Sequence, residues 1–226
     1  MTVRPWMKKV ECKFMSAQKT EPLSIQKAVT ALRKSDPEMI PLFDAFQMED
    51  LKPETDYYRS LTRAIIYQQL SGKAAKTISD RFIALYKGKE YPRPKDVLNT
   101  EHETLRSVGL SNAKAHYLKN ISEAFLNGTV DYQNLGNLSD DEIIKQLISI
   151  KGVGPWTAQM FLMFTLNRPD VFPTGDLGVQ KGFKQYFKLK ELPSPKVMEK
   201  RSQKWKPHRT VASLFFWKVV GGPFEW

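Results

Sequence analysis

Apolar positions recur at three- and four-residue spacing along most of the chain, and that spacing predicts helices. Ile25, Ala28, Val29 and Leu32 form one apolar face behind Ser24, a residue suited to cap a helix start. Asp36 followed by Pro37 reads as a second start, a cap and a first-turn proline. Thr55 opens a segment carrying Tyr58, Leu61, Ile65 and Ile66, which runs into Gln68-Gln69-Leu70-Ser71-Gly72. Ser71 suits the cap of the next helix, with Ala74, Ala75, Ile78, Phe82 and Leu85 at helical spacing and an end at Gly88. Thr100 with Glu103, and Ser139 with Glu142, each fit a capping box. Further helices are predicted over Asn112–Asn127, closed by Gly128, and over 140–150, 155–166, 177–187, 195–205 and 207–220. No period-two alternation worth reading as a strand occurs, so the predicted fold class is all-α.

Composition narrows the partner. The 226 residues allow one to two domains at roughly 150 residues each. Lys and Arg number 35 against 24 acids, a net charge of +11, which points to a polyanion: nucleic acid or an anionic membrane surface. No long Lys-rich amphipathic helix with an aromatic face supports the membrane, and none is expected as a partner. Residues 181–210 hold ten Lys/Arg and two acids, whereas 131–150 hold four acids and one Lys. A protein gripping a polyanion on one face would be patterned so, as would a solvated helix face. A 41% hydrophobic, 12% aromatic chain is not a disordered one. The single cysteine, Cys12, excludes an intramolecular disulfide, a multi-cysteine zinc site and a cysteine-ligated iron–sulfur cluster. His102, His116 and His208 lack metal-ligand spacing. The uncharged run 152–167 is too short and too broken to cross a membrane. Residues 1–20, with five basic residues and one acid, read as a flexible basic tail or an arm.

The most specific local pattern is Ile148-Ser149-Ile150-Lys151-Gly152-Val153-Gly154-Pro155-Trp156-Thr157-Ala158, a helix, a two-glycine turn and a second helix. Glycines permit the positive φ of a tight turn and let a phosphate approach the backbone. The free amides at the second helix's start favour an anion. Such a contact ignores base sequence and fixes the protein's register on DNA.

With Asp170-Val171-Phe172-Pro173-Thr174-Gly175-Asp176-Leu177, this hairpin resembles the helix-hairpin-helix/GPD superfamily of DNA glycosylases, in its alkylated-base (3-methyladenine glycosylase II) branch. The segments Ile65–Ala75, Val108–Ala115 and Trp205–Thr210 agree with that branch in order, so the resemblance runs from about Tyr57 to Trp217. It implies a two-lobed helical fold with an active cleft between lobes. The core would be 21–226, one lobe near 70–165 and the other 21–69 plus 166–226. It also implies a monomer that binds double-stranded DNA containing damaged bases and excises alkylated purines in base excision repair.

By that resemblance Asp176 is the catalytic carboxylate, stabilising positive charge on the sugar as the N-glycosidic bond breaks; it also suits the cap of the following helix. Gly175 stands where some members carry a second acid. Strand-cutting relatives carry a nucleophilic lysine at the position of Trp156, and tryptophan cannot form that Schiff base. A monofunctional enzyme is therefore expected, with Lys151 out of register. Trp156 and Trp217 would line a pocket whose π faces attract cationic alkylpurines; some relatives have tyrosine at Met160. Phe161, Phe164, Phe215 and Phe216 read mainly as core. Leu70 would wedge into the stack as the base flips, with Gln69 and Ser71 at the groove. Gly152, Val153, Gly154 and Thr157 would hold a phosphate. Lys73 and Lys114 are phosphate contacts or plain surface lysines, and Arg209 a contact or a structural ion-pair partner. Carbonyls of Ile148, Ile150 and Val153 would take Na+ or K+, as in some relatives; no other cofactor is expected. A non-catalytic or weakly active damage-binding member of the same fold is the alternative. The compartment would be a nucleus, or a bacterial cytoplasm.

Overall fold

The structure, a computed structural model, describes residues 22–70 and 72–222. The expected basic tail and Ser71 lie outside the described residues. Among the described residues the helices are α1 (Ile25–Ser35), α2 (Ile40–Ala45), α3 (Tyr57–Tyr67), α4 (Gly72–Ala84), α5 (Pro94–Asn99), α6 (His102–Ser107), α7 (Asn112–Asn127), α8 (Asp140–Ile148), α9 (Pro155–Phe164), α10 (Leu177–Tyr186), α11 (Pro195–Ser202) and α12 (Arg209–Val219). One isolated antiparallel bridge, Leu23 to Leu51, is the only β pairing among them. The fold is all-α.

The chain forms two compact units. One takes in Thr55–Val153; the other takes in the described parts of Thr20–Glu54 and Gly154–Trp226. The division runs through the two-glycine turn, where the helical pattern breaks; the sequence reading put the corresponding boundaries near 70 and 165.

In the first unit α7 packs on α3, α5 and α6. Its buried residues include Leu118, Ile121 and Phe125. The Tyr58 hydroxyl and Ser122 Oγ lie 2.7 Å apart, and the Tyr58 ring meets Phe125 edge-on at 5.4 Å. Burial raises the Tyr58 phenol well above its usual range, so it serves as a neutral hydrogen-bonding group. Ser111 caps α7 by accepting the Lys114 N–H, and Gly128 closes it at φ +80°. The Ser139–Glu142 capping box forms in full. The Thr100–Glu103 box does not. Thr100 Oγ1 donates to the Asp96 carbonyl and meets the Tyr86 hydroxyl, Glu101 instead takes the N-cap position of α6, and Glu103 pairs with Arg106.

In the second unit Asp36 does not cap a helix through its side chain. It ends α1, a 3-10 turn over Pro37–Met39 follows, and the carboxylate points inward at 1% exposure. Its Oδ2 accepts the Trp205 indole N–H at 2.8 Å and lies 3.4 Å from Arg201 Nη2; Oδ1 lies 2.8 Å from Lys204 Nζ. A carboxylate this buried needs that set, because an unpaired charge in the interior is strongly destabilising. Trp205 then joins Phe172, Phe183, Phe187 and Phe216 in an aromatic core.

The main helix pair in this unit is α10 against α12. Gly182 makes it close: a Cβ added there would stand 1.9 Å from the Phe216 carbonyl oxygen. Backbone cannot yield as a side-chain end can. Gly182→Ala is therefore expected to lower unfolding free energy by about 3 kcal/mol, read as a fall in the urea midpoint.

Candidate active site

Asp176 is the side chain around which this region is built. It precedes α10 as N-cap with extended backbone, and Oδ1 accepts the Val179 N–H at 2.8 Å. The same oxygen accepts the Trp217 indole N–H at 2.7 Å, and Oδ2 accepts the Trp156 indole N–H at 2.7 Å. Asp176 is 7% exposed. Oδ1 thus has both lone pairs engaged, whereas Oδ2 has one donor. The carboxylate is anchored on one oxygen and keeps acceptor capacity on the other.

The segment that delivers Asp176 is stitched to the start of α12. The Thr210 N–H donates to the Pro169 carbonyl at 3.0 Å, and Thr210 Oγ1 accepts the Val171 N–H at 2.9 Å. Arg209 grips Asp170 with a fork, Nε to Oδ1 at 2.7 Å and Nη2 to Oδ2 at 2.9 Å, and reaches Glu199 at 3.0 Å. Arg209 is therefore a structural ion-pair partner. Nearer the site, Gln180 Nε2 donates to the Thr174 carbonyl, and the Asp176 N–H to that of Pro173.

Gly178 leaves room for this arrangement. A Cβ there would meet Trp217 Cδ1 at 2.7 Å, Nε1 at 2.8 Å and Asp176 Oδ1 at 3.1 Å. Gly178 and Gly182, four apart, lie along the α10–α12 seam, a small-residue spacing the sequence contains but sequence reasoning did not single out.

The two tryptophans differ. Trp156 is half-buried, in the first turn of α9. Trp217 is 1% exposed and stacks on Phe164 at 5.8 Å. The sequence expectation gave both rings a pocket face. Trp217 instead meets Asp176 through its indole edge, and its faces are covered. Met160 is fully buried in α9. Gly175 is exposed, with open space where a side chain would extend.

At the turn, Gly152 has φ +107°, and a Cβ there would strike the Tyr117 ring at 2.2 Å. Gly154 has ordinary φ of −93° and is the N-cap of α9, with open space around its Cα. The first glycine is thus demanded by shape and the second is not. Pro155 takes the first helical position, where its missing N–H is no loss. Thr157 is buried, so it offers a phosphate no exposed hydroxyl; Val153 is buried and Lys151 exposed. The Ile150 carbonyl accepts the Val153 N–H at 3.0 Å, and the Lys151 carbonyl accepts from Asn120.

Gln69 and Leu70 follow α3. Gln69 is exposed at φ +56°, a left-handed conformation that costs a non-glycine residue roughly 1 kcal/mol. Leu70 is half-buried and Lys73 exposed. Lys114, expected at a phosphate or on the open surface, donates from Nζ to the carbonyls of Ile66 at 2.8 Å and Gln68 at 2.7 Å. Its side chain is turned back onto the end of α3. No cluster of three or more metal-ligating side chains occurs among the described residues.

A helical fold, a two-glycine turn leading into a helix, and one buried carboxylate held at a helix N-cap by indole N–H groups define a helix-hairpin-helix protein with a single acidic centre. The chain belongs to the HhH-GPD superfamily of base excision DNA repair proteins, whose family profile matches residues 62–208. DNA-3-methyladenine glycosylase 1 of Schizosaccharomyces pombe is 36% identical over 163 residues, 72% of each chain. A putative DNA-3-methyladenine glycosylase of Bacillus subtilis is 35% identical over 168 residues, 72% of this chain and 58% of that one. The solved structure of the S. pombe 3-methyladenine DNA glycosylase in complex with abasic DNA superposes with a TM-score of 0.79 at 32% identity, covering 87% of this chain and 97% of that one.

The Trp217 indole proton is expected to exchange slowly with solvent. Gly178→Ala should speed that exchange at least about tenfold by forcing the ring off Asp176, leaving the Trp205 indole protected. Indole resonances in a nitrogen–proton NMR spectrum read both at once.

Proposed function

We propose that the protein is a monofunctional DNA glycosylase that flips alkylated purines of the 3-methyladenine and 7-methylguanine class out of duplex DNA and hydrolyses their N-glycosidic bond. The observation that carries this reading is the Asp176 carboxylate, fixed by three N–H donors with acceptor capacity left on Oδ2. Cleavage builds positive charge on the sugar, and a preorganised carboxylate stabilises it without reorganising during the reaction. The same oxygen is suited to orient the attacking water. The named activities of the similar S. pombe and B. subtilis proteins support the substrate class.

Trp156 occupies the position that is a lysine in strand-cutting relatives, and its indole has no nucleophilic amine. Its half-buried ring is the aromatic surface suited to a cationic base, while Trp217 works from behind by holding Asp176. Leu70 is the wedge, Gln69 and Ser71 flank it, and the Gly152-Val153-Gly154 turn with the start of α9 takes a phosphate. Lys73 adds phosphate contact. Three carbonyls, of Ile148, Ile150 and Val153, are hard donors suited to Na+ or K+; the Ile150 oxygen already shared with Val153 keeps a second lone pair for it. No redox cofactor or nucleotide is part of the reading. The protein acts as a monomer on DNA, in a nucleus or a bacterial cytoplasm.

Asp176→Asn tests the reading. Its amide oxygen can still accept from Val179 and Trp217, but its NH2 faces the Trp156 N–H, so about 1–2 kcal/mol of stability is lost without unfolding. On methylated duplex DNA the wild type is expected to release free methylpurine, measured by chromatography, and to leave alkali-labile but uncut strands. The variant should bind DNA and release bases at least about a hundredfold more slowly. Equal release by the variant overturns the assignment, and tight binding without release by wild type supports the damage-binding alternative. Borohydride should trap no covalent adduct; a trapped one would make the protein a lyase.

A further inference from the structure

Lys114 sits at the third position of α7, near a helix N-terminus, where a cation is unfavourably placed. Its ammonium leaves that end and reaches the carbonyls of Ile66 and Gln68, 46 to 48 residues earlier in the chain. Ile66 belongs to the last turn of α3, where the Gln68 N–H takes the Ala64 and Ile65 carbonyls and the Leu70 N–H that of Tyr67, leaving the Ile66 carbonyl to the ammonium. A glycine in left-handed conformation commonly follows such an end; here Gln68 turns away at φ −51° and ψ 131°, and Gln69 takes the left-handed conformation. The cation therefore bridges the helix end and the first residue of the turn that presents Gln69 and Leu70. Burial lowers the Lys114 pKa, as expected of an ammonium withdrawn from solvent onto carbonyl oxygens. Two of its three N–H donors are committed.

We infer that Lys114 is a positioning residue for the flipping wedge: it locks the Gln68–Leu70 turn through two carbonyls and acts on base extrusion through Leu70, not by gripping a DNA phosphate. This rests on the reading of Leu70 as the wedge. The side chain sets the aim of the apolar tip, so its loss is felt where a paired base must be forced out and not where the base is already loose.

The test is Lys114→Met, which keeps the aliphatic stem, beside Lys114→Arg, which keeps a cation. Excision is measured on a damaged base in a paired duplex and on the same base at a mismatch. Unstacking is followed separately by 2-aminopurine fluorescence next to the lesion, a readout that needs no catalysis. Lys114→Met is expected to lose about tenfold in paired-duplex excision and most of the fluorescence rise, with less than about threefold loss at the mismatch. The dependence of DNA binding on salt should keep its slope, and the loss should largely vanish in a Leu70→Ala background. Lys114→Arg should recover most of the paired-duplex activity. A slope reduced by about 1 would make Lys114 a phosphate contact and overturn the inference. Equal loss on both substrates, or additivity with Leu70→Ala, would overturn it too. If Lys114→Met does not fold, Lys114→Gln, which keeps an N–H donor without the charge, decides by the same slope and substrate ratio. Failure of the wedge reading shows independently, as Leu70→Ala losing equally on both substrates, and failure of the enzymatic reading as absence of base release by wild type.

Discussion

Three N–H groups converge on one carboxylate, and much of the second unit is arranged to bring them there. The Val179 amide comes from the start of α10, the Trp217 indole from the last turn of α12 and the Trp156 indole from the first turn of α9. For the indole of Trp217 to reach Oδ1, α10 and α12 must lie almost backbone to backbone. Gly182 and Gly178 permit this, one by clearing the Phe216 carbonyl and the other by clearing the ring itself. The Arg209–Asp170 fork and the Thr210 bonds then fix the connecting segment to the same helix. Buried hydrogen-bonded carboxylates in a low-dielectric setting hold their orientation strongly, because each unmade bond is penalised in full.

A second carboxylate in the same unit is managed by the same chemistry for a different end. Asp36 also accepts from an indole, that of Trp205, but Arg201 and Lys204 close over it. The two cations pair with it and make it a structural joint between the end of α1 and the turn after α11. Asp176 instead takes neutral N–H donors from Val179, Trp217 and Trp156, so the carboxylate is oriented without a cation closing over it. Neutral donors suit the role proposed for Asp176, which would meet developing positive charge; cationic ones suit a structural joint.

The helical fold, the hairpin and Asp176 were legible because each leaves a local signature: apolar spacing, paired glycines, an acid ahead of a helix. The Ser139–Glu142 box was legible for the same reason, whereas the Thr100–Glu103 box failed because Tyr86 and the Asp96 carbonyl compete for the same hydroxyl. The edge-on use of Trp217 was not legible. The resemblance gave its ring a pocket face, and the glycine spacing of α10 that lets its N–H reach Asp176 leaves no residue-type signal at Trp217 itself. Lys114 was equally opaque, since its partners are backbone carbonyls far upstream that leave no residue-type signal. Asp36 misled for the opposite reason: its local context is that of a cap, and a tertiary ion cluster claims it instead.

The glycine seam carries a consequence for reading relatedness. A descendant of this chain could retain Asp176, both tryptophans and the whole hairpin yet lose activity by gaining one methyl group at Gly178. An inventory of polar site residues would pass such a sequence as competent. Judging whether an uncharacterised homologue still works thus requires inspecting which residues are absent of bulk, not only which bear functional groups.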